Sequence, residues 1–357
     1  MEPLRQRLLD WMKGSGGFSS FDEAACEVFR HQFERNAAYR AYARALGKTP
    51  TTVDTWQQIP AVLTDAFKLR DFPLACFPLR ETVKVFRTSG TTREIRGEHW
   101  FRDLSLYETS ILEGWKYADL PAPTNPWFLS QSPDNAPDSS LVHMFSTLQR
   151  HHAPAVTDCW MIDDAGRIDT SGLATQTQPV ALFTTALALL RCIESGKGVA
   201  LPAGSWVFET GGYKGLKVSL DPTDFRNLVA QSFSVPVDRI LNEYGMTELS
   251  SPFYAWSGES QHRGSPWTRI RVIDPETGRP AETDQPGYLE ILDLANLDSV
   301  AAIRTQDLAI ARSDCSFTLL GRDPGALPRG CSRRSDDLLS GSGASMNRCW
   351  RRSSKPS

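Results

Sequence analysis

Two polar, glycine-bearing runs, each set directly behind a strand-like stretch, constrain this chain more than any other feature. Arg87-Thr88-Ser89-Gly90-Thr91-Thr92 follows the alternating stretch Val83-Lys84-Val85-Phe86. Asn242-Glu243-Tyr244-Gly245-Met246-Thr247-Glu248 follows Val237-Asp238-Arg239-Ile240-Leu241, which reads as a strand end. In the first run, glycine imposes no side-chain barrier, so backbone N–H groups can turn inward around an anion. The hydroxyls of Thr88, Ser89, Thr91 and Thr92 add donors. The spacing matches neither Gly-x-x-x-x-Gly-Lys-Ser/Thr nor Gly-x-Gly-x-x-Gly. A lone Ser-Gly-Thr is most often a plain turn; four hydroxyls around one glycine weigh against that.

The rest of the chain alternates in a way that fits an α/β fold. Residues 22–46 read as one long helix, with Ser20 or Asp22 as its cap and Gly47 at its end. Residues 48–80 are punctuated by proline and link short elements. Residues 104–117 read as an amphipathic helix, and Trp127-Phe128-Leu129 as a short strand. The apolar stretch 180–190 reads as a buried helix ending near Gly196. From about 180 to 245 helix-like and strand-like segments alternate, as in an α/β sheet. Residues 268–273 and 288–291 then alternate with period two around the turn Asp274-Pro275-Glu276-Thr277-Gly278, and read as antiparallel strands. The expected organisation is one large domain over 1–312, with a β-rich subdomain at 267–310, and a reduced C-terminal segment over 313–357. From Arg333 the sequence is rich in Ser and Arg and poor in apolar residues, the composition of a poorly ordered tail.

Composition narrows the functional classes. A chain of 357 residues with 40% hydrophobic and 23% charged residues can bury a substantial core. A net charge of −3 offers no basic footprint for nucleic acid. No apolar stretch is long enough to cross a bilayer, and the N-terminus has no apolar signal core. Seven cysteines, an odd number and none at Cys-x-x-Cys spacing, argue against structural zinc and for reduced thiols in the cytoplasm.

The two runs resemble motifs of the adenylate-forming superfamily, which includes acyl- and aryl-CoA ligases and luciferase-like enzymes. Residues 88–92 are similar to its phosphate loop, and 244–248 to its adenine-and-magnesium motif. Gly287-Tyr288-Leu289-Glu290-Ile291, Thr305-Gln306-Asp307 and Gly321-Arg322 resemble the motifs that come next, in the same order. Within the superfamily, Phe208-Glu209-Thr210-Gly211-Gly212-Tyr213-Lys214-Gly215, residues 242–251 and Arg329-Gly330-Cys331-Ser332 resemble the acyl-protein synthetase (LuxE) family, as do Trp56-Gln57-Gln58-Ile59-Pro60 and Phe67-Lys68. The resemblance implies an α/β adenylate-forming domain of mixed and parallel sheets with packed helices, a small antiparallel β subdomain, and a short C-terminal appendage.

It also implies a chemistry. A carboxylate resists nucleophiles until attack on the α-phosphate of ATP converts it to a mixed anhydride with AMP, so catalysis is largely electrostatics and positioning. Thr88, Ser89, Gly90, Thr91 and Thr92 would hold phosphates, and Thr247 would touch the α-phosphate. Glu248 would hold Mg²⁺, a hard cation suited to a carboxylate. Tyr244, with Gly245 and Met246, would lie against adenine, and Gly211-Gly212 would let backbone pass close to the nucleotide. Asp307 would accept from the ribose hydroxyls. Arg322 would stand at the start of the hinge, and His143 would line the acyl pocket. Cys331, flanked by Arg329, Arg333 and Arg334, would take the acyl group as a thioester, nearby cations lowering its pKa. Each residue has a plainer reading. Glu248 alone could be a helix start, Asp307 a turn residue, Tyr244 core, His143 a satisfied core histidine and Cys331 a free thiol. Arg93 stands where the superfamily has glycine, Arg96 is the nearest cation to the loop, and the chain lacks a full-sized C-terminal domain with its lysine. Three functions remain open at this level: an acyl-protein synthetase serving a partner reductase or acyltransferase, a ligase delivering acyl groups to coenzyme A, a carrier protein or an amine, and a nucleotide-binding scaffold.

Overall fold

The computed structural model describes residues 3–88, 95–211, 221–259 and 261–323. It opens with α1 (Pro3–Met12), α2 (Phe21–Arg35) and α3 (Ala37–Ala45). Ser20 caps α2 by accepting the N–H of Glu23. The single helix expected over 22–46 is two helices. At Asn36 (φ −102°, ψ 105°) the backbone leaves the helical region. Its N–H closes α2 onto the Gln32 carbonyl, and its side chain accepts the N–H of Tyr39 to start α3. Asparagine caps a helix better than it continues one, and a continuous apolar pattern conceals such a break.

Short pieces follow: β1 (Val62–Leu63), then β2 (Lys84–Arg87) and β3 (Glu98–Phe101), which form a hairpin of their own. Next come α4 (Ser105–Tyr117), β4 (Pro126–Gln131), α5 (Ser140–His152), β5 (Trp160–Ile162) and α6 (Ser171–Ala174). Then β6 (Ala181–Thr185), α7 (Ala186–Glu194), β7 (Trp206–Thr210), α8 (Pro222–Phe233) and β8 (Ile240–Tyr244) complete an alternating α/β half. The apolar stretch 180–190, expected as a helix, is strand β6 followed by α7. Thr185 marks the change, its hydroxyl accepting the N–H of Ala188 as the helix cap. A strand buried on both faces is apolar throughout, so hydrophobic pattern alone does not separate it from a buried helix. Gly196 ends this unit at φ 70°. The strand end expected at 237–241 is a 3-10 turn (Val237–Arg239) launched by Pro236, and the strand starts at Ile240.

The second half is antiparallel: β9 (Phe253–Trp256), β10 (His262–Arg263), β11 (Thr268–Ile273), β12 (Gly287–Asp293), β13 (Ala302–Ser313) and β14 (Ser316–Arg322). All these strands except the β2–β3 hairpin join one 12-stranded sheet in the order β11-β12-β13-β14-β10-β9-β8-β7-β6-β4-β5, with β1 beside β13. Strands β5-β4-β6-β7-β8 run parallel, and the sense changes at β8–β9. The antiparallel strands expected over 267–310 thus continue the main sheet and extend to Arg322. Gly287 faces a neighbour that leaves no room for a side chain: a Cβ there would collide with the Ile273 carbonyl of β11.

Two apolar cores flank the change of sense. One joins α1–α3 to β11–β14; the other packs α4, α5, α7 and α8 on the parallel strands. Residues 244–249 lie where the two meet, with Tyr244 and Leu249 in the first core and Leu241 in the second. In α/β sheets ligands bind outside the carboxyl ends of the strands. Gly211 and Gly245 directly follow β7 and β8 at that end.

Candidate active site

Tyr244 is the last residue of β8, and Asp307 lies in β13 across the seam. The Tyr244 hydroxyl donates to Asp307 Oδ2 at 2.8 Å. Burial, and next the Asp307 carboxylate, raise the Tyr244 hydroxyl well above its ordinary pKa, so it stays a donor. Asp307 is steadied in turn by its own N–H donating to Thr305 Oγ1 at 3.1 Å. Arg322 is the cross-strand partner of Asp307 and donates to Gln306 Oε1 at 2.9 Å. Gly211 follows β7 at φ 76°, a conformation that glycine adopts without strain.

The run after Tyr244 is fastened from both cores. Thr247 and Glu248 are 2% and 3% exposed, which excludes the plain surface-helix reading of Glu248. His99 of β3 donates from Nδ1 to the Thr247 carbonyl and accepts from Ser299 Oγ at Nε2, both at 2.8 Å. Burial pushes the His99 imidazole down to about 4, so the ring is neutral and these two bonds fix its tautomer. Asn296 Nδ2 donates to the Glu248 carbonyl at 2.8 Å. Asp293 Oδ2 accepts the N–H groups of Ser250 and Ser251, each at 2.8 Å. From the helical side, Ser140 Oγ at the start of α5 lies 3.5 Å from Thr247 Oγ1.

Ser89, Gly90, Thr91 and Thr92 lie outside the described residues, as do Gly212 and Cys331. The neck of this run, the expected phosphate loop, lies within the described residues. Thr88 and Gly97 bond each other through both backbone and side chain, Thr88 Oγ1 accepting the Gly97 N–H at 2.8 Å. Arg96 donates to the Thr88 carbonyl at 2.6 Å and to Asp138 Oδ2 at 2.9 Å. This arginine, expected as the cation nearest the loop, braces its neck. Burial and then Arg87 lower its pKa. Asp138 adjoins Ser139, the cap of α5, so the neck, the helix start and Thr247 are neighbours.

His143 sits one turn into α5. Its ring stacks on Tyr107 and tilts against Phe86 of β2, with Nε2 3.1 Å from Glu108 Oε1. The His143 contact, then burial in opposition, shift Glu108, with a net lowering of its pKa.

Beneath the site lie two buried polar sets, one on each face of the sheet. On the Tyr244 face, Asn242 Nδ2 donates to Glu209 Oε1 at 2.6 Å, and His262 Nε2 donates to Asn242 Oδ1 at 2.6 Å. On the other face the Thr210 hydroxyl donates to Glu243 Oε2. Burial pushes both Glu209 and Glu243 up to about 7. His99, Asp293, Asn296, Glu209 and Glu243 escape the sequence reading as site residues. Glu209 and Glu243 left a signal: each is a carboxylate in a parallel strand, where an apolar residue is the rule.

Among the described residues no three His, Cys, Asp or Glu side chains are grouped to hold a metal unaided. Mg²⁺ needs less, since one or two carboxylates suffice when phosphates and water fill its other positions. Buried Glu248 fits that demand. When bound, the ion would neutralise phosphate charge.

Solved structures of 2-hydroxyisobutyryl-CoA ligase in complex with 2-HIB-AMP share the architecture. An open form with CoA superposes at TM-score 0.60, covering 86% of this chain and 76% of that one at 14% identity. A postadenylation form gives 0.61, covering 86% and 69% at 13% identity. The fold is that of the adenylate-forming ligases. More particularly, residues 181–350 match the family model of acyl-protein synthetase, LuxE. The chain is also 30% identical over 95 residues to the long-chain-fatty-acid–luciferin-component ligase of Aliivibrio fischeri, a stretch covering 26% of this chain and 25% of that protein. The match thus spans about a quarter of the curated relative's length.

Proposed function

We propose that this chain is an ATP-dependent ligase that activates a carboxylic acid, of the fatty class, as its acyl-adenylate. One observation carries the reading: Tyr244 and Asp307, taken from separate motifs, meet at 2.8 Å beside the Thr247-Glu248 run and Gly211. The Tyr244 ring supplies a flat face for the base. Asp307 offers acceptors for ribose hydroxyls while its other bonds hold it still. Thr247 is presented by His99 toward the transferring phosphate, and Glu248 would hold Mg²⁺. Hydroxyls of Ser89, Thr91 and Thr92, Gly90 and Gly212 would complete the phosphate cradle, and His143 would border the acyl chain. These groups position charges rather than break bonds, which is what transfer at phosphorus requires.

The acyl group would then pass to Cys331, the thiolate attacking the mixed anhydride and AMP leaving. Two other cysteines are poorly suited to that step. Burial pushes the thiols of Cys159 and Cys192 up to about 12 and about 11, away from the reactive thiolate. The family match reaches through Cys331 and supports this reading. From Cys331 the acyl group would go to a partner such as an acyl reductase; the alternative acceptors are coenzyme A, a carrier protein or an amine.

The test is carboxylate-dependent exchange of labelled pyrophosphate into ATP over a panel of acids. Exchange with at least one acid is expected; none with any acid would leave only the scaffold. Cys331→Ala should retain exchange and lose covalent labelling by radioactive acyl groups. Labelling that persists in that variant would assign transfer elsewhere.

A further inference from the structure

Glu243 lies within the site's own run but faces away from the nucleotide residues. Side chains alternate along a strand, so Asn242 and Tyr244 share one face of β8 and Glu243 takes the other. Its register partners are Thr210 of β7 and Tyr254 of β9. The Thr210 hydroxyl donates to Oε2, and Oε1 lies so close to Gly245 that a Cβ there would collide with it. The carboxyl therefore touches the last residue of β7, directly before Gly211, and the first residue past β8. At 6% exposure it has little water to turn to, so this geometry is its main source of hydrogen bonding.

We propose that Glu243 is a positioning residue whose carboxyl, held between the Thr210 hydroxyl and the Cα of Gly245, fixes Gly211 at the end of β7 relative to the run that begins at Gly245. It touches no substrate; it sets the spacing between Gly211 and the run that begins at Gly245. Two residues that leave adjacent parallel strands at the same end need such a spacer, since parallel-strand hydrogen bonds end with the strands. Gly245 lacks a side chain because the spacer occupies that space. Burial pushes Glu243 up to about 7, in keeping with a group held by packing rather than by an ion pair. The inference rests on the ligase reading for its effect on ATP, and on the ligand-free geometry for the spacer itself.

Glu243→Gln keeps the shape and the acceptor; Glu243→Ala and Thr210→Val each remove one end of the contact. In pyrophosphate exchange, Glu243→Ala and Thr210→Val should raise the KM for ATP about tenfold, the worth of one buried hydrogen bond. Their kcat should stay within about twofold, and Glu243→Gln should restore the wild-type KM. In ligand-free protein, amide hydrogen exchange at Gly211 and Gly245 should quicken in the Ala and Val variants and not in Gln. Unchanged amide exchange in Glu243→Ala, or a Gln variant indistinguishable from Ala, would overturn the proposal. A wild type without pyrophosphate exchange would remove the ligase reading, while the amide measurement would still decide the spacer.

Discussion

At the scale of single residues the site turns on a contact between side chains 63 positions apart in sequence, Tyr244 and Asp307. The carboxylate has two tasks under the proposed chemistry: it receives the Tyr244 hydroxyl and it offers lone pairs to a ribose. A hydrogen bond to a charged group contributes about 1.5–3 kcal/mol. Asp307→Ala should therefore raise the KM for ATP in the exchange assay by between about tenfold and about a hundredfold. Tyr244→Phe keeps the ring and loses only the donor, so a few-fold rise is expected. Equal effects from the two variants would contradict the division of roles. The residue types were legible in the sequence: a glycine-hydroxyl run, an aromatic before Gly-Met-Thr-Glu, an isolated Asp. Their anchors were not. His99 reaches Thr247 across 148 positions and Asp293 reaches Ser251 across 42, and neither contact leaves a local pattern.

Among the elements, legibility followed periodicity. The strands at 268–273 and 287–293 alternate apolar and polar residues, and the structure pairs them as expected, with Ile270 opposite Ile291. The helix at 105–117 was equally plain. Two elements misled for opposite reasons. Residues 180–190 are apolar except at Thr184 and Thr185 because β6 is covered on both faces, so no period distinguishes strand from helix. Residues 22–46 keep a helical period across a break made by one side chain. Asn36 ends α2 and starts α3 at once, and it is 1% exposed. Its replacement by alanine removes the Tyr39 cap and favours one continuous helix, which would carry Tyr39 away from the Pro60 carbonyl it bonds at 2.8 Å. Loss of a cap costs about 1 kcal/mol, and with it Asn36→Ala should lower the melting temperature by roughly 1–2 °C in a protein of this size. An unchanged melting temperature would show that the break is set by the Pro-punctuated segment behind it.

For the molecule as a whole, two buried carboxyls and two buried imidazoles set opposing responses to pH. Burial raises Glu209 and Glu243 from an ordinary 4.5 to about 7. Their contribution to stability is present below 4.5 and is lost as pH climbs through about 7, because the fold must then hold buried charge. Burial lowers His99 and His262 from 6.5 to about 4, so theirs is present above 6.5 and is lost as pH falls through about 4. Between about 4.5 and 6.5 the two losses run in opposite directions, and the wild type should show a shallow dependence there. The groups around the carboxyls do not cancel this: Arg226 favours the charged form of Glu209, Asn242 and Thr210 donate to the pair, and the Tyr254 hydroxyl stays neutral. Replacing both carboxyls, Glu209→Gln with Glu243→Gln, removes their share of the opposition and leaves the carboxyl of Asp293, which burial also raises. The melting temperature of that variant should rise steadily from pH about 4 to about 6.5 and then level, and its margin over the wild type should widen up to pH about 7. Parallel melting curves for the two proteins across that range would mean that the carboxyls sit in contact with water, and the compact seam between the two cores would have to be redrawn.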